Sequence, residues 1–265
     1  MGGELFVTVE LADVQFDRAG AVATVTLARP AKLNTVTAPM ARELQRIGQV
    51  LNEDDSIRAV ILKGAGERAF SAGSDVRLLD QYGSNWSLRN RVDYCRAIWE
   101  VRKPIVAAIH GYAIGGGLEL ALSCDIRLAT PDARFGAGEI KLGWVGGAGN
   151  TQLLPRLVGY GKALEMLLTG DLIDAEEARA CGLVQRVVPA EQLDARAEEL
   201  AEKIAANAPI AVQLAKHLVR VSESSSLNLG LAYENDLFTY CFTTRDSNEG
   251  REAFLSKRKP VFKGE

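Results

Sequence analysis

The chain has 265 residues, with 31 Lys plus Arg against 34 Asp plus Glu, a net charge of −3, 25% charged and 47% hydrophobic residues. At the usual domain size this is about 1.8 domains, one large domain or a core with a smaller appendage. The balance excludes a disordered polar chain, and without a basic excess nucleic acid is not expected as a partner.

The opening MGGELFVTVE lacks the basic-then-apolar layout of a secretory signal, and Phe6 stands where a myristoylation motif needs Ser or Thr. A cytoplasmic protein is expected. Alternating apolar and polar residues over Val14–Phe16 and Val22–Leu27, with Arg18-Ala-Gly20 between, predict a β-hairpin, and Pro30 ends its second strand. Thr37 caps an amphipathic helix that runs through Pro39 to about Asn52, with Leu44, Ile47 and Leu51 on one face. Ala59–Leu62 and Pro104–Ile109 are short continuous apolar runs, the pattern of strands buried on both faces. No run approaches the roughly 20 residues that would span a bilayer, so no membrane segment is expected.

Each buried strand leads through a glycine-containing loop into a helical segment, Asp75–Tyr82 and Gly117–Cys124, which points to an α/β architecture. The last third changes character, with helical periodicity over Leu193–Ala206, Ile210–Val221, Leu227–Phe242 and Asp246–Ser256. The predicted division is a core over residues 1–193 and a helical module over 194–265. Helices without a sheet to cover them leave apolar area that another chain usually buries, so this end is expected to oligomerise. Cys95, Cys124, Cys181 and Cys241 are far apart and form no CxxC pair, so they read as reduced thiols without a zinc or disulfide framework.

Two loops share a design. Ala69-Phe-Ser-Ala-Gly-Ser-Asp75 joins a strand to a helix through small residues, and His110-Gly-Tyr-Ala-Ile-Gly-Gly-Gly-Leu-Glu119 does so with three consecutive glycines. Glycine costs about 1 kcal/mol against alanine inside a helix. One reading is close approach of a ligand to bare N–H groups at a helix N-terminus, where two converging amides would form an oxyanion hole. The other is tight strand-to-helix packing. Glu119 lies in an otherwise apolar run and Glu139 among glycines and apolar residues, in FGAGEIKLGWVGGAG. Two glutamates beside glycine-rich backbone suit proton transfer at a carbon next to a carbonyl, although both could equally be surface charges.

KPIVAAIHGYAIGGGLELALSCD, followed by ARFGAGEIKLGWVGGAGNTQLLPRLVG, resembles the central signature of the enoyl-CoA hydratase/isomerase (crotonase) superfamily. The likeness extends in order through RPAKLNTV, AFSAGSD, LLTGDLIDAEEARACGLVQRVVP and EGREAFLSKRKPVF. The resemblance implies a spiral of ββα units, capped by a C-terminal helical domain that builds a homotrimer, often paired into a hexamer. It implies an acyl-CoA thioester as substrate, with coenzyme A entering as part of the substrate and no separate cofactor. Matched motif by motif, the oxyanion donors are the amides of Ser74 and Gly116.

Members resembling true hydratases carry both glutamates, here Glu119 and Glu139, whereas members resembling double-bond isomerases generally keep only the second. Hydration of a trans-2-enoyl-CoA to the 3-hydroxyacyl-CoA is therefore the expected reaction, with isomerisation or another acyl-CoA reaction as the alternative and a non-catalytic or RNA-binding relative as a different class. By the same resemblance Ala31, Lys32 and Leu33 lie along the nucleotide, Ala72 borders the adenine, Arg77 replaces the lysine often found near the phosphates, and Ser74, Asp75 and Gly116 are among the residues that bind the substrate. Gly147 adjoins the reactive water, and Phe254 and Lys257 resemble residues lent by a neighbouring subunit. Gly138 and Gly146 stand where prolines are common, and GNTQLL replaces GGTQRL through Asn150 and Leu153. Extra glycine is expected to loosen the backbone that aims Glu139, and Trp144 adds bulk. His110 and His217 read as structural, Tyr112 and Trp144 as pocket walls. No metal site is expected.

Overall fold

The computed structural model describes residues 9–11 and 13–265. The opening residues through Thr8, and with them the reading of Phe6 and the leader, lie outside the described residues. β1 (Val9–Leu11), β2 (Val14–Ala19) and β3 (Val22–Leu27) form an antiparallel meander in which β2 and β3 are the expected hairpin. α1 (Ala38–Glu53) follows, its first turn capped by the Thr37 hydroxyl accepting from the Met40 N–H.

Three successive units then repeat one plan. β4 (Ala59–Gly64) and β5 (Ala69–Ser71) lead to α2 (Asn85–Arg89) and α3 (Tyr94–Trp99). β6 (Ile105–Ile109) and β7 (Tyr112–Ile114) lead to α4 (Gly116–Ser123), and β8 (Ile126–Ala129) and β9 (Arg134–Gly136) lead to α5 (Asn150–Val158). In each unit the first strand enters a seven-stranded sheet, the second enters a four-stranded sheet, and helix follows. With β10 (Ile173–Asp174) and β11 (Arg186–Val187) from later in the chain, the larger sheet has the order β1-β2-β3-β4-β6-β8-β11 and is parallel from β3 onward; the smaller runs β10-β9-β7-β5. Completing the chain are α6 (Tyr160–Thr169), β10 (Ile173–Asp174), α7 (Ala175–Ala180), β11 (Arg186–Val187), α8 (Leu193–Ala205), α9 (Pro209–Ser222), α10 (Leu227–Phe242) and α11 (Arg245–Leu255).

The continuous apolar runs have the cause expected of them. Val60 and Leu62 of β4 point into the core shared with α1, α3 and α4, while Ala59 and Ile61 point to the opposite face. That second face is covered by α8, whose Leu193, Ala197, Ala201 and Ala205 recur every four residues and let helix and sheet approach closely. The 193/194 division thus falls at the first turn of α8, which packs on the large sheet.

One element differs from expectation. Val76–Tyr82 is a 3-10 helix without a buried residue, ended at Gly83; with no face to bury, nothing selects the α-helical period. Beyond α8 the helices bury little: α9 and α10 have no buried residue, and α11 has only Asp246 and Ala253. α9 is tied to the core through Asp125, whose carboxylate is 2.6 Å from Lys216 Nζ and 3.0 Å from Arg220 Nη2, with the Arg220 guanidinium over the Trp99 ring. All four cysteines are free, Cys95 and Cys124 buried. Among the described residues no helix is long and apolar enough to cross a membrane.

Candidate active site

The two glycine loops meet backbone to backbone. Ser74 lies in an isolated parallel bridge with Val36, in which the Gly73 carbonyl accepts from the Val36 N–H and the Asp75 N–H donates to the Val36 carbonyl, leaving the Ser74 amide turned the other way. Gly116 opens α4, so its amide has no partner within the helix. A Cβ on Gly73 would lie 2.6 Å from the Gly116 nitrogen, and one on Gly116 would lie 3.4 Å from the Ser74 nitrogen. Close packing and exposed amides are thus one feature: glycine brings the main chains together, and that approach sets the two N–H groups side by side. The Ser74 hydroxyl lies 3.1 Å from the buried Tyr94 hydroxyl.

The turn that precedes α1 joins this loop. The Ala72 N–H donates to the Leu33 carbonyl, and the Ser71 hydroxyl donates to the Asn34 carbonyl. Asn34, fully buried, braces the turn by donating through Nδ2 to the Ala65 and Ala69 carbonyls. Ala31, Lys32, Leu33, Ala72 and Ser74 are therefore brought together, with Ala31 and Lys32 exposed. The Asp75 carboxylate is engaged by Arg77 at 3.0 Å and lies 3.5 Å from Arg29, which holds it below the usual carboxylate range, first through the Arg77 hydrogen bond. Asp75 and Arg77 thus lie next to the loop as a mutual pair.

The glutamates are not surface charges. Glu119, in the first turn of α4, is 4% exposed, and its Oε1 accepts from the Ala148 N–H at 2.7 Å and the Asn150 N–H at 3.2 Å. The second donor is the first amide of α5, so the carboxylate sits where a helix N-terminus favours negative charge. Glu139 lies half-buried in a 3-10 turn, Gly138–Leu142, rather than in an irregular loop. Its Oε1 accepts from Asn150 Nδ2 at 2.8 Å, its Oε2 is buried without a partner among the described residues, and its carboxyl carbon would be 3.7 Å from a Cβ on Gly115, next to the Gly116 amide. Burial pushes both carboxyls above their ordinary range, and the charge of Glu139 adds to the rise at Glu119.

The expected loosening by extra glycine is corrected at Gly146. A Cβ there would lie 2.8 Å from Glu119 Oε1 and 2.8 Å from Asn150 Cβ, so the glycine is required by close packing. Around Gly138 the corresponding space is empty. Gly147 faces Arg91, whose guanidinium would be 3.2 Å from a Cβ at that position. Trp144 walls a cavity of about 250 Å³ next to Glu139, together with Val145, Tyr160 and Leu164, whereas Tyr112 lies in β7 outside that lining. His110 sits instead beside Lys63, Asp132 and Asp194, with burial lowering its pKa, and His217 is exposed against the Tyr233 hydroxyl.

Phe254 and Lys257 do not reach the site within their own chain. Phe254 is 83% exposed at the end of α11, and the tail beyond it is held by Arg58, which donates to the Phe262 carbonyl at the start of β4, the end of that strand away from the glycine loops. Sequence reasoning missed Tyr94, Asn34 and the part played by Asn150. The departure at Asn150 was visible, but its two contacts join segments far apart in the chain.

The profile of the enoyl-CoA hydratase/isomerase family matches residues 17–265. A short-chain-enoyl-CoA hydratase of Clostridium acetobutylicum is 40% identical over 256 residues, covering 95% of this chain and 97% of the relative. A mitochondrial enoyl-CoA hydratase of Pongo abelii is 39% identical, covering 91% and 83%. The crystal structure of an enoyl-CoA hydratase from Bacillus anthracis superposes with a TM-score of 0.89 at 40% identity, covering 96% of this chain and all of that one. These hydratases are lyases, and likeness over such lengths, in sequence and in backbone, places the chain among the enzymes of the enoyl-CoA hydratase/isomerase family, on the crotonase fold.

Proposed function

We propose that the protein adds water across the double bond of a trans-2-enoyl-CoA, giving the 3-hydroxyacyl-CoA. The observation that carries this reading is the pair of carboxyls, Glu119 buried and Glu139 half-buried, that accept from the main-chain and side-chain N–H groups of Asn150, each with one oxygen that meets no donor among the described residues, beside the main-chain amides of Ser74 and Gly116.

The thioester oxygen accepts from the Ser74 and Gly116 N–H groups, which stabilise the charge that collects there as the enolate forms. Glu119, ionised and anchored through Oε1, takes a proton from water as the water oxygen bonds to C3. Glu139 gives a proton to C2, and the pair is reset through solvent. Two nearby carboxyls in a desolvated pocket hold one proton more readily than none or two, which suits a base and an acid acting in the same turnover.

Ala31–Leu33 and Ala72, joined by the Ala72 N–H to the Leu33 carbonyl, would receive the nucleotide together with Arg77, with coenzyme A brought by the substrate. The exposed apolar side chains of the terminal helices, among them Leu229, Phe238 and Phe254, support a homotrimer or a hexamer of two trimers, in which Phe254 and Lys257 come from a neighbouring copy.

Glu119→Gln and Glu139→Gln test the chemistry. Each should lower crotonyl-CoA hydration by about 100-fold or more while the circular dichroism of the fold is retained. Both variants turning over near the wild-type rate would overturn the assignment. Product analysis on 2-enoyl and 3-enoyl thioesters separates hydration from isomerisation.

A further inference from the structure

We propose that Asn150 is a positioning residue of the glutamate pair: its carboxamide, seated in the space left by glycine at 146, holds Glu139 so that its exchangeable proton is carried on Oε2. Its effect on turnover rests on the hydration reading; the contact with Glu139 does not.

Asn150 is fully buried and reaches the two carboxyls through different donors. Its main-chain N–H goes to Glu119 Oε1 at 3.2 Å, and its side-chain Nδ2 goes to Glu139 Oε1 at 2.8 Å. The amide has one chemically sensible orientation, because the same Nδ2 also faces the Gly115 carbonyl at 3.5 Å. Turned over, it would set its oxygen against the Gly115 carbonyl and, while Glu139 is ionised, against that carboxylate as well. With Oε1 of Glu139 occupied by an N–H donor, a proton on that carboxyl has only Oε2 to sit on, and Oε2, like the Asn150 Oδ1, is a buried oxygen that meets no hydrogen-bond partner among the described residues.

The fit is built from two positions. A Cβ on residue 146 would lie 2.8 Å from Asn150 Cβ and 3.1 Å from its Nδ2, so a side chain at 146 would displace the carboxamide from the place where it meets Glu139. The other titratable groups around Glu139 are accounted for. Glu119 faces it from α4, Tyr160 shares its cavity from α6, and Lys141 on its own turn is engaged 2.8 Å from Asp171. Among the described residues Asn150 is thus the side chain that donates to Glu139.

The test compares wild type with Asn150→Gly, which keeps the N–H to Glu119 and removes the carboxamide, and with Asn150→Ala as a second variant. Glu139 is titrated in the substrate-free enzyme by difference infrared of its carboxyl stretch, assigned by subtracting Glu139→Gln. Losing a donor that favours the ionised form should move the Glu139 titration to higher pH in both variants. Crotonyl-CoA hydration should lose roughly 10- to 100-fold in kcat with KM little changed, and in a Glu139→Gln background the same substitution should cost nothing more. An unmoved titration, or the same fold loss in both backgrounds, would overturn the proposal. Wild-type enzyme unable to hydrate crotonyl-CoA would remove the hydration reading, while the titration still decides where Asn150 acts.

Discussion

Gly116→Ala puts the proposed oxyanion site under direct strain. The added methyl would lie 2.1 Å from the Tyr94 hydroxyl oxygen, 3.2 Å from Gly73 Cα and 3.4 Å from the Ser74 nitrogen. Ordinary contact needs about 3.5 Å, so the first overlap exceeds 1 Å and something must shift. Overpacking of this kind costs about 1–3 kcal/mol of stability, a fall of about 5 °C in Tm for a chain of this size. Displacing one oxyanion donor costs about 3 kcal/mol in the transition state, or roughly 100-fold in kcat. Tyr94→Phe removes the colliding oxygen at the expense of one hydrogen bond to Ser74, worth about 1 kcal/mol. Gly116→Ala/Tyr94→Phe should therefore recover most of the Tm, yet kcat should stay low, because the methyl still lies against the Ser74 amide where the thioester oxygen would bind. The assay is the loss of the conjugated thioester's ultraviolet absorbance beside a thermal melt. A double variant with wild-type kcat would refute an oxyanion site between Ser74 and Gly116.

Three further outcomes follow from the same geometry. Burial raises Glu139 above its unfolded value, so the stability it allows is present below that value and is lost as pH rises through the folded one. Glu139→Gln should accordingly gain stability relative to wild type as pH rises from 4 to 8, read as a growing difference in urea midpoint; a constant difference would contradict the burial argument. Asp125→Ala leaves Lys216 and Arg220 facing each other without their anion, and burial already draws Lys216 down to about 8; a loss of about 3 kcal/mol is expected on urea unfolding, and no loss would show that α9 docks by other means. Leu229→Glu with Phe238→Glu on α10 should shift the sedimenting species to a smaller one and weaken CoA-thioester binding together, whereas a wild-type protein that is monomeric at micromolar concentration would remove the assembly.

Local order was legible in the sequence because it is written at short range. The Thr37 cap, the two-residue alternation of β2 and β3, and the apolar runs of β4 and β6 each depend on neighbours within a few positions, and each forms as expected. The helical segment expected over Asp75–Tyr82 forms as a 3-10 helix, Val76–Tyr82, because its helical spacing meets no partner surface. At the site, the amides of Ser74 and Gly116 could be named by resemblance, but the reason for the glycines is a steric contact between loops about 40 residues apart.

The sequence alone determined the hairpin, the capped α1, the buried strands β4 and β6 and the terminal helices, the family likeness and the candidate identity of the two acids, since propensity, capping and motif order need no third dimension. Only the tertiary structure decided that Glu119 and Glu139 leave water together, that Asn150 stands between them, and that Gly146 makes room for it. Those facts depend on distances between α4, the 139 turn and α5, segments whose approach is set by packing of the whole core and appears nowhere in local pattern.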